Sequence, residues 1–244
     1  PRVEVVSPPK PAAQPSTRVR EKDGMVEVYI GAGEFWMGSA DSDKDARADE
    51  KPQHKVYLDG YWMDQTPVTN AMFARFVAQT SHRTLAEKRG YGYVYNTSKK
   101  QWEQTQGADW RHPTGAGSTI RLLEAHPVLQ VSWEDALAYC DWVGAQLPTE
   151  AQWEKAARGT DGRTYPWGNK GPDATLANFN RNIGSTTPVG SYPGGASPYG
   201  LLDMAGNVWE WCADWYGEGY YRVSPPRNPT GPTSGSSRVL RGGS

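Results

Sequence analysis

Asp203-Met204-Ala205-Gly206-Asn207-Val208-Trp209-Glu210 is the stretch on which the reading of this chain depends. Two carboxylates and an amide fall within eight residues, around a glycine that permits a tight turn. Hard oxygen ligands, with the backbone carbonyls that such a turn exposes, suit calcium. The same residues also fit an Asn/Gly turn with Glu210 in an ion pair, and the stretch alone does not choose. Its surroundings limit the fold. From Gly159 onward the sequence keeps no long period and breaks into turns and short strands.

Composition agrees with an irregular fold. The chain has 244 residues, with 27 Gly, 19 Pro, 11 Trp and 13 Tyr, but only 37% hydrophobic residues. A core built from aromatic rings and joined by loops follows from that mix. The net charge of −1 supplies no field that would draw the chain to nucleic acid or to anionic lipid. No apolar run approaches the ~20 residues of a membrane span. Cys140 and Cys212 are too few for a disulfide framework. They read as core thiols, with pairing to each other or to further cysteines left open. His54, His82, His112 and His126 are scattered, and no pair has helical ligand spacing, so zinc or iron is not expected. Phosphate-loop, nucleophile-elbow and zinc-protease motifs are missing. The sequence assigns no compartment.

Outward from the central stretch, residues 1–23 read as a Pro-rich linker, which suggests a fused domain upstream. Residues 24–244 read as one domain. Strands are expected at 25–30, 34–38, 54–59 and 61–64. The acidic stretch 41–51 reads as a solvated loop, because its carboxylates lack calcium-loop spacing. Thr69 caps a first helix with Met72, Phe73, Phe76 and Val77 on one stripe. Residues 81–126 form a long excursion with short strands at 92–95 and 101–103. Ser132 caps a second helix with Ala136, Leu137 and Cys140 facing inward. Thr149-Glu150-Ala151-Gln152 is a capping box that opens a third, with Trp153, Ala156 and Ala157 buried. The class is α+β, with two or three helices and segregated short strands.

Several segments together resemble the formylglycine-generating-enzyme, or sulfatase-modifying-factor, domain family. They are Gly33-Glu34-Phe35-Trp36-Met37-Gly38-Ser39, Pro67-Val68-Thr69-Asn70, Val131-Ser132-Trp133-Glu134-Asp135-Ala136 and Leu147-Pro148-Thr149-Glu150-Ala151-Gln152-Trp153-Glu154. Tyr165-Pro166-Trp167-Gly168-Asn169, Gly206-Asn207-Val208-Trp209-Glu210-Trp211 and Arg241-Gly242-Gly243-Ser244 complete the set in family order.

The resemblance implies a C-type-lectin-like fold with little regular secondary structure. It implies a structural calcium site from Asp203 and Glu210 with the carbonyls of Gly206 and Val208. A second would use Asn178 and the Phe179 carbonyl, with its other ligands near Asn182 and Gly184. Family enzymes oxidise a cysteine in a Cys-x-Pro-x-Arg segment with copper and oxygen. Their reactive cysteines lie three and eight residues after the serine that Ser244 matches, a serine that lines the substrate site. Those positions fall past Ser244, so the domain is expected to be C-terminally incomplete as given and to need copper only if that cysteine pair follows. Cys140 matches a cysteine that some relatives bond to one near the C-terminus, and Cys212 has no catalytic counterpart.

Two functions follow from the resemblance. One is a non-catalytic binding or regulatory module for a protein or peptide ligand, which the linker favours. In one subgroup the residues after Arg-Gly-Gly-Ser form a variable ligand-binding surface, to which Trp209, Trp211 and Trp215 are candidate contributors. The other is a copper-dependent oxidase that makes formylglycine.

Overall fold

The computed structural model describes residues 16–243. The strands in chain order are β1 (Thr17–Val19), β2 (Val26–Ile30), β3 (Gly33–Met37), β4 (His54–Leu58), β5 (Tyr61–Asp64), β6 (Tyr91–Asn96), β7 (Gln101–Gln106), β8 (Glu210–Trp215) and β9 (Arg238–Arg241). The helices are α1 (Asn70–Thr80), α2 (Leu85–Arg89), α3 (Trp133–Val143) and α4 (Glu150–Arg158). One antiparallel sheet has the order β1-β2-β5, and three further antiparallel pairs are β3-β4, β6-β7 and β8-β9. These elements make the α+β, C-type-lectin-like arrangement expected from the sequence, with four helices rather than two or three.

Strand alternation builds the core. Phe35 and Met37 of β3 and Val56 and Leu58 of β4 point inward, while Trp36 and Lys55 stand opposite each other on the outer face. Side-chain caps start the helices: Thr69 accepts from the Met72 N–H, Ser132 from Asp135 and Thr149 from Gln152. Helix α4 is the keystone. Its Trp153, Ala156 and Ala157 pack with Val28, Ile30, Leu201, Met204, Cys212 and Val239. Its Ala151 reaches the second cluster, with Phe35, Met37, Val56, Leu58 and Tyr221. The buried Lys155 donates to the carbonyls of Gly31 and Gly33 at 2.8 and 3.0 Å, which fixes the turn between β2 and β3. A third cluster joins Phe73, Phe76 and Val77 of α1 to Trp110 and Tyr139.

Three expectations are corrected. The composition places the end of the linker at Asp23, but Thr17–Val19 pairs with β2, and Arg20 and Asp23 lie inside the domain. Arg20 binds Asp23 at 2.7 Å and Asp64 at 2.8 Å, and Asp23 also accepts from the Tyr139 hydroxyl at 2.6 Å. A polar stretch without periodicity is thus ordered by buried charge pairing rather than by an apolar face. The rest of the proposed linker, residues 1–15, lies outside the described residues. On α3, the buried side chains are Asp135 and Tyr139, while Ala136, Leu137 and Cys140 stay partly exposed. The Asp135 carboxylate accepts from the N–H groups of Ser132 and Leu85 and meets His82 Nε2 at 2.8 Å, so a polar residue occupies the inward position. Helix α2, a single turn capped reciprocally by Thr84 and Glu87, is too short to show periodicity.

Arg20→Ala would leave the Asp23 carboxylate buried without its cation. A loss of about 3 kcal/mol or more is expected in urea unfolding. Burial alone would raise the Asp23 carboxyl, yet hydrogen bonds from Arg20, Tyr139 and the Met25 N–H hold it below its ordinary value. Its contribution is therefore present above the unfolded value of about 4 and is lost as pH falls through the lower folded value. Asp23→Asn is expected to be less stable at neutral pH and to lose less on acidification, as a pH series of melts would record.

Candidate functional site

The central turn is closed by three backbone segments. Strand β9 pairs with β8 so that Arg241 faces Glu210 and Leu240 faces Trp211. The chain leaving β9 therefore passes over the turn leading into β8. The Gly206 N–H donates to the Gly242 carbonyl at 3.1 Å, and the Asn207 N–H donates to the Asn178 carbonyl at 2.8 Å. Gly206 has φ +91°, and a Cβ there would lie 2.5 Å from the Asn178 carbonyl oxygen. Gly242 has φ +94°, and its Cβ would lie 2.8 Å from the Val208 carbonyl oxygen. Asp203 and Asn207 adopt left-handed backbone as well, at φ +57° and +66°.

Two carboxylates are drawn into this turn. Asp203 Oδ2 accepts from the Gly190 N–H at 2.6 Å, and Glu210 Oε2 accepts from Trp153 Nε1 at 2.7 Å. Burial pushes the Glu210 carboxyl up to about 7, and the charge of Asp203 adds to the rise. Burial also raises Asp203, against the opposing Gly190 hydrogen bond. Neither residue pairs with a lysine or arginine among the described residues. Among those residues no group of three or more His, Cys, Asp or Glu side chains could hold a metal ion, so a cation here would need backbone carbonyls too. The Gly206 carbonyl accepts from the Val208 N–H at 2.8 Å and keeps a second lone pair. Two hard carboxylates without a counter-ion, beside a turn rich in carbonyls, fit calcium.

The second predicted set is arranged differently. Asn178 is buried and donates through Nδ2 to the Ser185 carbonyl at 2.8 Å. The Phe179 carbonyl accepts from the Asn182 N–H at 3.0 Å, and Asn182 Nδ2 donates to the Ala177 carbonyl at 3.3 Å. Gly184 turns the chain at φ +78°. These four residues form one loop closed by its own amides. None is acidic, and Arg181 lies among them. Of the four, Asn178 touches the first turn, where its carbonyl accepts from the Asn207 N–H. Asn207, which the sequence reading did not select, is the joint. Its Oδ1 accepts from the Thr187 N–H at 2.9 Å, and its Nδ2 donates to the Thr187 carbonyl. The left-handed Asn-after-Gly pattern was the available signal. Ser244 lies outside the described residues.

A groove of about 750 Å³ opens beside the turn. Tyr95, Trp102, Trp209, Trp211, Leu240 and Arg181 line it. Trp209 is 54% exposed and Trp102 64% exposed, which is unusual for such rings. Trp209 belongs to the predicted aromatic set. Trp211 donates to the Val131 carbonyl at 3.2 Å and forms part of the wall. Trp215 is structural: it and Trp133 sandwich the Arg238 guanidinium at 3.4 and 3.7 Å. Tyr95 and Trp102 were missed, because the hairpin of β6 and β7 gives no motif beyond its aromatic content. Both cysteines are free thiols outside the groove. Burial pushes the Cys140 thiol up to about 12 and the Cys212 thiol well above its ordinary value, so neither is a ready thiolate.

Comparison with known proteins shows the family and the fold. The sulfatase-modifying factor enzyme 1-like domain matches residues 11–244. The formylglycine-generating enzyme of Streptomyces coelicolor is 41% identical over 97% of this chain and 83% of its own length. The mouse formylglycine-generating enzyme is 40% identical over 89% of this chain, which spans 65% of that protein. The serine/threonine-protein kinase pkn1 of Chlamydia caviae is 39% identical over 88% of this chain, which spans 32% of the kinase. Among solved structures, PvdO from Pseudomonas aeruginosa superposes with a TM-score of 0.74 at 23% identity, covering 95% of this chain and 87% of that one. Treponema denticola variable protein 1 superposes with a TM-score of 0.65 at 24% identity, covering 96% and 88%. At those identities the two structures support the fold.

Gly206→Ala would force a side chain against the Asn178 carbonyl at a left-handed backbone position. A loss of roughly 2–4 kcal/mol is expected from strain and displacement together. Leu202→Ala, at a partly exposed position nearby, is expected to cost clearly less in the same urea titration.

Proposed function

This chain belongs to the sulfatase-modifying factor enzyme 1-like family, and from that premise we propose that it is a calcium-stabilised, peptide-binding module of a larger protein. The observation that carries the calcium reading is the pair Asp203 and Glu210, held at a turn with no lysine or arginine ion-paired to either among the described residues, the facing Arg241 being taken up by Glu150. Calcium would be held by those carboxylates with the Gly206 and Val208 carbonyls. It would supply the positive charge that the turn lacks. Asn178, Phe179, Asn182 and Gly184 would support that turn rather than form an equally strong second site.

The binding reading rests on the groove. Exposed Trp102 and Trp209 offer flat apolar faces to an extended peptide, and Asn178, Gln130 and Thr186 supply polar groups around them. The chlamydial kinases, of which this chain spans about a third, support a place in a multidomain protein, with residues before the domain acting as a tether.

A second reading is favoured by the 41% identity to the Streptomyces coelicolor enzyme: oxidation of a peptide cysteine to formylglycine. Copper in that reading needs thiolate ligands. That reading takes its cysteine pair from positions past Ser244; Cys140 and Cys212 do not fit the role, because burial raises both thiols and both stand away from the groove.

Stripping divalent ions with a chelator and adding calcium is expected to raise Tm by about 5–10 °C at saturating ion. Asp203→Asn with Glu210→Gln should abolish that shift, and should melt no lower than the calcium-free parent. An unchanged Tm in the parent protein would overturn the calcium reading. Incubation of the full-length protein with copper and a Cys-x-Pro-x-Arg peptide separates the two functions. The binding module is expected to leave the cysteine intact by mass spectrometry, and loss of its thiol with formation of an aldehyde would establish the oxidase.

A further inference from the structure

Among the described residues the groove carries one charged side chain. Arg181 stands among neutral and aromatic residues, and no carboxylate lines the groove with it. Its guanidinium lies over the Tyr95 ring at 4.2 Å, and Tyr95 meets Trp102 edge-on at 5.5 Å, so cation and rings form one stack along the wall. Asn180 and Arg181 both have left-handed backbone, at φ +48° and +58°, which turns the arginine out of the loop. The nearest acid on the same hairpin, Glu103, is already engaged. It accepts from Lys99 at 2.8 Å, Asn96 at 2.8 Å and Gln101 at 3.0 Å. The stack over Tyr95 leaves the guanidinium's in-plane N–H groups free of any carboxylate among the described residues.

We infer that the groove selects an acidic peptide segment, with Arg181 reading a carboxylate and the Trp102 and Trp209 rings taking the flanking apolar side chains. This rests on the reading of the groove as a peptide site. A planar guanidinium fork matches a carboxylate in two parallel hydrogen bonds, and an aromatic ring behind the fork fixes its plane. A basic peptide meets like charge at the same place with no acid to receive it. Arg181 is thus a specificity residue, and a basic Cys-x-Pro-x-Arg segment is a disfavoured ligand for this groove.

Isothermal titration with acetyl-Leu-Glu-Pro-Glu-Leu-amide and acetyl-Leu-Lys-Pro-Lys-Leu-amide tests this. The acidic peptide is expected to bind about fivefold more tightly in 50 mM salt, with the preference shrinking in 500 mM salt. Arg181→Glu should invert the preference, and Arg181→Lys should keep part of it. Arg181 is exposed, so the melts of these variants are expected to match the parent. Equal binding of the two peptides, or a preference unchanged in Arg181→Glu, overturns the assignment while the groove reading stands. Trp102→Ala should weaken both peptides alike. If neither peptide binds the parent, or if Trp102→Ala changes nothing, the groove reading falls and the inference with it. Tighter binding of a dT oligonucleotide than of either peptide would overturn it in favour of nucleic acid.

Discussion

One backbone hydrogen bond, from the Gly206 N–H to the Gly242 carbonyl, closes the turn on which the carboxylate pair and the groove rim depend. It joins the turn before β8 to the end of β9, and it requires two glycines because a Cβ on Gly206 would meet the Asn178 carbonyl and a Cβ on Gly242 would meet the Val208 carbonyl of the turn itself. With the chain closed there, Asp203 and Glu210 are confined at the turn, and Trp209 projects between it and the groove. The Trp209 ring lies 4.0 Å from where a Cβ on Gly243 would stand, so the same closure places the last described residues at the rim. A looser turn would release the acids to solvent and the tryptophan from its position together.

Helix α4 supports that closure from below. Trp153 donates to Glu210 from a ring that is itself packed on Val28, Leu201 and Met204. The Glu150 N–H donates to Asp214 at 2.9 Å, which ties the helix start to β8. One short helix thus touches the sheet of β2, the β3-β4 pair and the β8-β9 pair. This explains how a chain with so little regular structure keeps a defined site. The strands are short, and each pair is too small to be stable alone. The shared helix gives them a common wall.

The parts legible in the sequence are those with local rules. The Thr69, Ser132 and Thr149 caps, the alternation of β3 and β4, and the Gly-Asn turn each follow from a few adjacent residues. The parts that escaped depend on partners far along the chain. Arg20 belongs to the domain because Asp64 and Tyr139, 44 and 119 positions away, complete its charge cluster through Asp23. No periodicity announces that. Asp135 is buried because it serves two helix starts at once, which a rule that places apolar residues inward will always misplace. In the site, the acids at 203 and 210 were visible as a cluster. Asn207 was visible beside them as a turn residue, but not its role, which is to receive and return hydrogen bonds from Thr187. The groove was hidden for the same reason: Tyr95 and Trp102 become neighbours of Trp209 and Arg181 only in the folded chain.

The contrast among the arginine–aromatic contacts gives the groove its meaning. Arg18 lies over Trp62 and also pairs with Glu27. Arg111 lies over Trp110 and pairs with Glu87. Arg227 lies over Tyr57 and pairs with Asp59. In each of these the ring orients the cation and an acid of the same chain neutralises it. Arg238, between two rings, instead donates to the Ala213 carbonyl and is enclosed. Among the described residues, Arg181 has the ring without the acid, and it stands exposed at a concave surface. A folded chain that elsewhere completes this arrangement from its own residues leaves one copy open, at the place where a ligand has room to supply the missing carboxylate.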